Sequence, residues 1–402
     1  MKITPPPAAL KLLALLEQAG LSAYFVGGCV RDAQLGLPPK DWDIAAAAPP
    51  ERVMRACAGL RVIESGLRHG TVTVLVDGQA FEVTSFRREG NYSDRRRPDT
   101  IAFTADLFAD LSRRDFTCNA MAWHPAKGLS DPFGGAADLE ARTLRCVGGP
   151  ALRFAEDALR ILRALRFAAV LGLRLEAATA AQCFAHKGAL AFVAAERKRD
   201  ELLKLLCGAN TAAVLLEYAE IFTAILPALT IAGQSCAALQ TAPPRAHIRL
   251  ALLLQTEADA RASCEALRCP RRFTDAVCLL VRLQKSALAQ LPPGSARGAE
   301  LRRLLGRHGA AALLDWIALR EAQAPPGEQP EWTALKTEIA ALQADDACLS
   351  RGQLAINGKD LQALGMRGRQ VGEVLERLLE QVLTGRLAND RGTLLRAAQK
   401  KK

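Results

Sequence analysis

The chain has 402 residues, half of them apolar, and a formal charge of +11. This length suits two to four domains, and the apolar content argues against global disorder. Eleven cysteines without a C-x-x-C pair and only five histidines argue against a zinc finger or a histidine metal cage. Arginines interrupt the apolar stretches and the start lacks a signal peptide, so we expect a cytoplasmic protein without membrane contact.

The excess of basic residues lies outside the first 150 residues. That segment has 18 Lys and Arg against 17 Asp and Glu, whereas the rest of the chain has 35 against 25. A basic region joined to a nearly neutral one suits a polyanionic partner, and nucleic acid is the partner we expect. The alternative is a solvated, arginine-rich surface without such a partner.

The predicted elements divide the chain into a mixed α/β head and a long helical region. The periodicity predicts a helix over 8–20, strands over 23–26 and 41–47, and a hairpin over 69–86 around the turn Asp77-Gly78. Strand signals stop near Arg153, and helical periodicity dominates from there to the end of the chain. Breaks in the helical region fall at residues 241–245, 291–298 and 324–330.

Two aspartates flank a tryptophan at the start of the predicted second strand. Side chains alternate along a strand, so Asp41 and Asp43 are expected on one face and Trp42 on the other. Paired carboxylates repel unless a cation lies between them, and hard oxygen ligands suit Mg²⁺. A two-metal site needs such ligands, and Glu82 in the hairpin is the candidate third carboxylate. An isolated D-x-D can equally be the solvated edge of a strand.

A glycine pair precedes these carboxylates, between the first strand and a short helix. Gly27 and Gly28 open the stretch "GGCVRD". Glycine lets the backbone approach phosphate oxygens at a helix start, and Arg31 adds a charged donor to the same phosphates. The pattern is neither G-x-G-x-x-G nor a P-loop, so dinucleotide binding and ordinary ATPase chemistry are not indicated.

The stretch "EDALRILRALRF" (156–167) predicts a helix with paired charges. Asp157 and Arg160 share a face, and Glu156 can pair with Arg160 one turn away. Asp157 would accept and Arg160 would donate, which matches cytosine and adenine because each presents an amino donor beside a ring-nitrogen acceptor. Uracil and guanine present an acceptor and a donor in the reverse order. A buried mismatch costs about 1–3 kcal/mol per unsatisfied group. Arg163 and Arg166 follow Arg160 at intervals of three residues on the same helix face, where they are expected to meet a triphosphate. The alternative for this segment is an exposed ion pair that contributes little to stability, next to a solvated stripe of basic residues.

Four stretches occur in the order and spacing of a known family. They are "GGCVRD…DWDI" (27–44), "RRDFTCNAMA" (113–122), "EDALR" (156–160) and "ERKRDELLKLL" (196–206). Together they resemble the class II tRNA nucleotidyltransferases and bacterial poly(A) polymerases, within the polymerase-β-like nucleotidyltransferase superfamily. The resemblance covers roughly residues 20–210. The stretch 356–390 is also similar to the C-terminal region of one bacterial branch.

The resemblance implies an α+β fold in which a small nucleotidyltransferase head precedes an elongated all-α region. The head has a mixed sheet with flanking helices. The expected domains are a catalytic head over 1–150, a helical neck over 151–210, a tRNA-binding body over 211–325 and a tRNA-binding tail over 326–402. The helical domains would hold tRNA through its shape and phosphates, which suits their basic charge.

The resemblance also implies the activity. The expected reaction is template-independent addition of C, C and A to the 3′ end of tRNA, using CTP, ATP and Mg²⁺ and releasing pyrophosphate. Arg114, Asp115 and Asn119 are expected to contact the ribose and phosphates, and Asp115 would accept a hydrogen bond from the 2′-OH. As an alternative, "DFTCN" is a turn into a helix with a polar cap. The loop with "YSDRRRP" (92–98) resembles the segment that switches from C to A addition, which favours the complete activity.

Other functions remain open at this point. An enzyme that adds only A would share these motifs, as would a poly(A) polymerase. A non-catalytic RNA-binding protein would be expected to lack an acidic ligand, yet Asp41, Asp43 and Glu82 are all present. A small-molecule nucleotidyltransferase would not need a basic helical region of this length. We expect no protein partner.

Overall fold

The computed structural model describes residues 3–64, 66–90, 100–286, 295–325, 329–344 and 347–399. The predicted switching loop at 92–98 lies outside these ranges, as do parts of the breaks at 291–298 and 324–330. The chain divides into two compact units, Met1–Pro227 and Ala228–Lys402. Within the described ranges, no helix is both long and apolar enough to cross a membrane.

The described strands all lie in the first unit. They are β1 (Ala23–Val26), β2 (Ile44–Ala46), β3 (Arg61–Ile63), β4 (Thr71–Val76), β5 (Gln79–Ser85), β6 (Arg87–Glu89), β7 (Ile101–Phe103), β8 (Ala122–His124), β9 (Gly128–Ser130), β10 (Thr143–Leu144) and β11 (Arg174–Leu175). Seven of them form one sheet in the order β3-β4-β5-β2-β1-β8-β9. Strands β2 and β5 are parallel and the other neighbours are antiparallel, so the predicted mixed sheet is confirmed.

The predicted hairpin is present as β4 and β5. Asp77 and Gly78 connect the strands with positive φ angles of 49° and 79°, as a tight hairpin turn requires. Residues along β4 alternate between half-buried and buried, so one face of the hairpin belongs to the core. This regular alternation is the local signal that made the hairpin predictable.

The predicted second strand is shorter than expected. It begins at Ile44, so Asp41 and Asp43 precede the strand and do not alternate along it. The last bond of the ladder runs from Val26 N to Asp43 O over 3.0 Å. Strand β1 then turns away at Gly27, whose φ is 70°, and within the described part of the chain its pairing with β2 does not extend to residues before Ile44. The prediction that strand alternation places Asp41 and Asp43 on one face is therefore wrong.

The helices of the first unit flank the sheet or follow it. They are α1 (Pro7–Gln18), α2 (Gly28–Gln34), α3 (Pro50–Ala56), α4 (Leu107–Ser112), α5 (Gly135–Glu140), α6 (Pro150–Glu156), α7 (Leu159–Leu171), α8 (Ala177–Ala185), α9 (Ala195–Leu206), α10 (Thr211–Glu217) and α11 (Ala219–Ile225). The predicted first helix is thus confirmed, and Gly20 follows it with a φ of 73°. The short strand β11 lies beyond Arg153, where no further strand was expected.

The predicted continuous helix around Asp157 is broken. Helix α6 ends at Glu156 and α7 begins at Leu159, while Asp157 has extended backbone angles of −148° and 103°. Asp157 Oδ1 accepts a hydrogen bond from Leu159 N at 3.0 Å and so satisfies a free donor at the start of α7. The side chain of an aspartate competes with the helix backbone in this way, which explains the break.

The described part of the second unit is helical and contains no strand. Its helices are α12 (Gly233–Thr241), α13 (Ala246–Ala251), α14 (Glu257–Ala266), α15 (Arg271–Leu283), α16 (Ser295–His308), α17 (Ala310–Gln323), α18 (Gln329–Ala344), α19 (Gly358–Ala363), α20 (Arg369–Leu383) and α21 (Arg391–Gln399). The last three pack around a common apolar cluster that includes Leu361, Leu378 and Leu394. The predicted α+β class, a mixed-sheet head followed by helices, is confirmed.

The sheet topology brings three loop segments to one edge. Strand β1 is antiparallel to both β2 and β8, so the end of β1 lies beside the starts of its two neighbours. The glycine turn, the aspartates before β2 and the segment 113–121 before β8 therefore meet there. A buried cluster that includes Val26, Ala45 and Ala122 holds this edge together.

Candidate active site

A cavity of about 630 Å³ opens at this edge of the sheet, within the first unit. Its lining is rich in arginine and includes nine of the thirteen predicted site residues. The lining residues are Gly27, Gly28, Arg31, Asp43, His69, Arg87, Arg113, Arg114, Asp115, Asn119, Asp157, Leu159, Arg160, Arg163, Phe167 and Arg197. Four predicted residues do not line it: Asp41, Glu82, Glu156 and Arg166.

Asp43 lines the cavity and lies near two carboxylates that do not line it, Asp41 and Glu82; we call these three residues the carboxylate cluster. Burial together with the negative charges of Glu82 and Asp41 raises the pKa of Asp43 to about 6, against the lowering effect of Arg114. The parallel register of β2 and β5, in which Ile44 faces Val83, brings Glu82 alongside Asp43. The charges of Asp41 and Glu82 are thus close enough to repel that of Asp43, although Asp41 and Asp43 do not alternate along a strand.

The carboxylate cluster suits a divalent cation with open coordination positions. Among the described residues, no group of three or more His, Cys, Asp or Glu side chains is placed so that all of them could hold one metal ion. Mg²⁺ is usually held by one or two carboxylates together with water and substrate phosphates, so it does not need such a group. Burial and repulsion by Glu82 and Asp41 both raise the pKa of Asp43, and a bound cation would favour its ionised form.

The glycine turn lies against the motif that follows α4. A Cβ on Gly27 would come within 2.9 Å of Arg114 Nη1, and the positive φ there also favours glycine. Gly28 begins α2 and lines the cavity. From the same helix, Arg31 Nη1 donates to Asn119 Oδ1 at 2.7 Å. The turn and the "RRDFTCN" segment therefore form one wall of the cavity.

Asp115 is buried and fully ionised in this wall. Asn119 Nδ2 donates to its Oδ1 at 3.0 Å, and Arg163 donates to its Oδ2 from Nε at 2.8 Å and Nη2 at 2.6 Å. Burial by itself would raise the pKa of Asp115, but the Arg163 guanidinium and these hydrogen bonds lower it to about 2. Asp115 is therefore a permanent acceptor, held in place by the chain itself.

Asp157 and Arg160 also line the cavity. Both side chains are buried and lie at the break between α6 and α7, where Arg160 N donates to Asp157 O at 3.0 Å. Glu156 lies behind them, and its Oε2 accepts from Arg160 Nη1 at 2.6 Å. The pairing of Glu156 with Arg160 that the spacing predicted is thus present, although the helix is interrupted.

Arg197 is a cavity residue that the sequence analysis did not single out. It comes from α9, and its Nη2 donates to Asp157 Oδ2 at 2.7 Å, with Nη1 3.3 Å from Oδ1. The signal lay within "ERKRDELLKLL", which resembled the family without indicating where Arg197 would point. His69, Arg87, Arg113 and Phe167 are further lining residues that the sequence did not reveal.

Arg166 lies apart from the cavity. It forms an ion pair with Glu201, and its guanidinium carbon lies 3.9 Å from the centre of the Phe167 ring. The same ring also has the guanidinium of Arg31 at 5.1 Å and that of Arg163 at 5.7 Å. Phe167 is therefore a shared packing surface for three arginines, of which only Arg31 and Arg163 line the cavity.

The whole chain matches known families and proteins. Residues 23–145 match the Poly A polymerase head domain, and residues 244–398 match the tRNA nucleotidyltransferase domain 2. The fold and the site thus define a nucleotidyltransferase of the poly(A) polymerase head type. The CCA-adding enzyme of Limosilactobacillus fermentum is 36% identical over 413 residues, which cover 99% of this chain and 98% of that protein. The CCA-adding enzyme of Geobacillus stearothermophilus is 36% identical over 398 residues, covering 96% and 95%.

A solved structure extends the similarity to the fold. The crystal structure of the Bacillus stearothermophilus CCA-adding enzyme in complex with CTP has a TM-score of 0.81 and 32% identity, covering 98% of this chain and 97% of that one. The chain belongs to the family of CCA-adding enzymes, which are tRNA nucleotidyltransferases. The resemblance predicted from the sequence is therefore confirmed. Enzymes of this family use divalent metal ions.

Proposed function

We propose that this protein adds C, C and A in turn to the 3′ end of tRNA. It takes CMP from CTP and AMP from ATP and releases pyrophosphate. One observation carries the proposal: a single cavity is lined both by Asp43 of the carboxylate cluster and by the buried pair Asp157 and Arg160. Such a cavity can bind a triphosphate and select its base without a nucleic-acid template.

Asp41 and Asp43 would hold Mg²⁺, with Glu82 beside them. The chemistry that a bound ion would supply there is neutralisation of phosphate charge and a lower pKa of the attacking 3′-OH. The chain's own residues bind and orient the nucleotide. Gly28 leaves room for phosphate oxygens, while Arg31 and Arg114 supply charged donors to them.

Asp115 and Asn119 orient the ribose. The pKa of Asp115, lowered to about 2, keeps its carboxylate ionised as an acceptor for the 2′-OH. A deoxyribonucleotide leaves that acceptor without its donor, which disfavours its binding. Arg163 holds Asp115 through two hydrogen bonds and lines the cavity, so it serves the ribose side of the nucleotide.

Asp157 and Arg160, which we call the base-selecting pair, choose C and A over U and G. The Asp157 carboxylate accepts from the exocyclic amino group of cytosine or adenine, and Arg160 donates to the adjacent ring nitrogen. Uracil and guanine present a carbonyl to Asp157 and an N–H to Arg160, so like groups face each other. Because both residues are buried, each mismatch costs about 1–3 kcal/mol.

The helical domains bind the tRNA. The basic excess beyond residue 150 supports phosphate contacts, which give affinity without sequence information. The division into neck (151–210), body (211–325) and tail (326–402) is part of this proposal. The eleven cysteines are all free thiols, which supports a reducing compartment such as the cytoplasm.

The test uses a tRNA that lacks its terminal CCA, incubated with CTP alone and with CTP and ATP together. Sequencing of the products should find two added C residues in the first case and CCA in the second. No C incorporation would indicate an enzyme that adds only A, and long A tails would indicate a poly(A) polymerase. Binding of tRNA without any incorporation would indicate a non-catalytic RNA-binding protein.

A further inference from the structure

We propose that Arg153 is a positioning residue for base selection. It holds the carboxylate of Glu156, which in turn holds Arg160 of the base-selecting pair. It also connects this pair to the backbone that leads into the Arg114-Asp115 segment. The inference rests on the proposed function, because it assigns Arg153 a part in the same choice between C or A and U or G.

The guanidinium of Arg153 connects three segments of the chain. Its Nη1 lies 3.2 Å from Glu156 Oε1 and 2.9 Å from Oε2. Its Nη2 donates to the carbonyl of Ser112, at the end of α4, over 2.7 Å. Its Nε donates to the carbonyl of Val147 over 3.0 Å. All three nitrogens are thus engaged, in the planar geometry that only arginine provides.

The contacts indicate how Arg153 acts through Glu156. Arg160 bonds to a single oxygen of Glu156, which leaves the carboxylate free to turn about that bond. Arg153 contacts both oxygens and so fixes the carboxylate plane. The same Arg160 nitrogen also lies 3.4 Å from the carbonyl oxygen of Arg153. Arg153 therefore orients the donor that meets the base without lining the cavity itself.

The Ser112 contact extends the effect to the ribose side. Ser112 directly precedes Arg113 and Arg114, which line the cavity and pair with the buried carboxylate of Asp110. Removal of Arg153 frees the carbonyl of Ser112 as well as Glu156. The two ends of the bound nucleoside would then lose their common support.

The test compares Arg153→Ala with the unchanged protein in single-nucleotide addition. The measured quantity is kcat/KM for CTP divided by that for UTP, and likewise for ATP and GTP. We expect both ratios to fall at least tenfold in Arg153→Ala. Arg153→Lys should recover part of the loss, because an ammonium can hold Glu156 but cannot reach all three acceptors. Melting temperatures of both variants record any loss of stability.

Arg249→Ala is the matched control. Arg249 is also a buried arginine whose guanidinium donates to backbone carbonyls, those of Ala242 and Pro243, but it lies in the second unit. Its removal should lower the melting temperature and leave both discrimination ratios unchanged. A loss of discrimination in this control would show that destabilisation alone produces the effect and would overturn the inference.

A double-mutant cycle with Glu156→Gln separates the two residues. If Arg153 acts through Glu156, the double variant discriminates no worse than Glu156→Gln alone. If the losses of discrimination in the two single variants multiply in the double variant, the positioning role is refuted. Unchanged discrimination ratios in Arg153→Ala, despite a lower melting temperature, would refute it as well. A native protein that shows no preference for CTP and ATP would refute the proposed function itself. A native preference that survives Arg153→Ala would refute only the inference.

Discussion

Asp43 and Asp115 line the same cavity, yet their surroundings move their pKa values in opposite directions. Burial and two neighbours of its own sign, Glu82 and Asp41, raise the pKa of Asp43 to about 6. Asp115 is more deeply buried, but Arg163 and Asn119 bond to it and its pKa falls to about 2. The charge of Arg114 does not outweigh burial and repulsion at the first carboxylate, whereas Arg163 and the hydrogen bonds do outweigh burial at the second.

This difference separates two tasks within one cavity. An end that orients the nucleoside benefits from groups held in place beforehand, because no binding energy is then spent on ordering them. An end that receives a cation must leave its carboxylates uncompensated until the cation arrives. The cavity thus combines preorganised groups, Asp115 and Asp157, with a carboxylate cluster that is complete only with an added ion.

The largest expected effect is at the carboxylate cluster. Asp41→Ala should reduce nucleotide transfer by about 10³-fold or more, because a metal ligand contributes several kcal/mol to transition-state stabilisation. The affinity for tRNA should change less than about twofold, since phosphate contacts dominate it. Single-turnover rates and a filter-binding assay measure the two quantities. Glu51→Ala, which removes an exposed carboxylate on α3, is the control. Retained transfer in Asp41→Ala would contradict the metal-ligand role.

The second effect concerns pH and stability. The pKa of Asp43 is raised in the folded state from 3.8 to about 6, so the metal-free protein loses stability as the pH rises through this window. The loss is at most about 3 kcal/mol. Asp43→Asn should therefore be more stable than the native protein at pH 7.5 without metal, and equally stable near pH 4.

Thermal unfolding with and without Mg²⁺ checks the direction of this change in stability. Added Mg²⁺ should raise the melting temperature of the native protein at pH 7.5 and have little effect on Asp43→Asn. Glu51→Gln, which removes the charge of the same exposed residue on α3, is the control here. A native stability that increases between pH 4 and pH 6 relative to Asp43→Asn would contradict the repulsion described for the carboxylate cluster.

A smaller effect is expected at Arg197. Arg197→Ala should lower kcat/KM for CTP about tenfold, because Asp157 loses the guanidinium that bonds to its carboxylate. Addition from UTP should be affected less, so the ratio between the two nucleotides falls. Lys204→Ala, an exposed basic residue on the same helix, is the control. An unchanged ratio would show that α7 alone orients Asp157.

The smallest effect on activity is expected at Arg166. Because it packs against Phe167 and pairs with Glu201 outside the cavity, Arg166→Ala should change kcat/KM less than threefold. Stability should fall by about 1–3 kcal/mol, since the buried carboxylate of Glu201 loses a donor. Urea unfolding and steady-state kinetics measure both. A large loss of kcat would instead favour the contact with the triphosphate that the sequence predicted.

The sequence by itself determined the features that depend on neighbouring residues. The hairpin around Asp77-Gly78, the glycine turn before α2 and the pairing of Glu156 with Arg160 are all encoded within a few positions. Local backbone preferences and side-chain spacing are enough to specify such features. The order of the four motifs then indicated the family and, through it, the mixed-sheet head and the helical remainder.

Only the tertiary structure decided which distant residues meet. Arg197 is 40 positions from Asp157, Arg163 is 48 from Asp115, and Arg31 is 88 from Asn119. Such pairs depend on sheet topology and helix packing, which no spacing rule supplies. The structure also decided the helix break at Asp157 and the turn of Arg166 toward Glu201. A helical pattern gives the face on which a residue lies, but the packing of neighbouring elements decides what that face contacts.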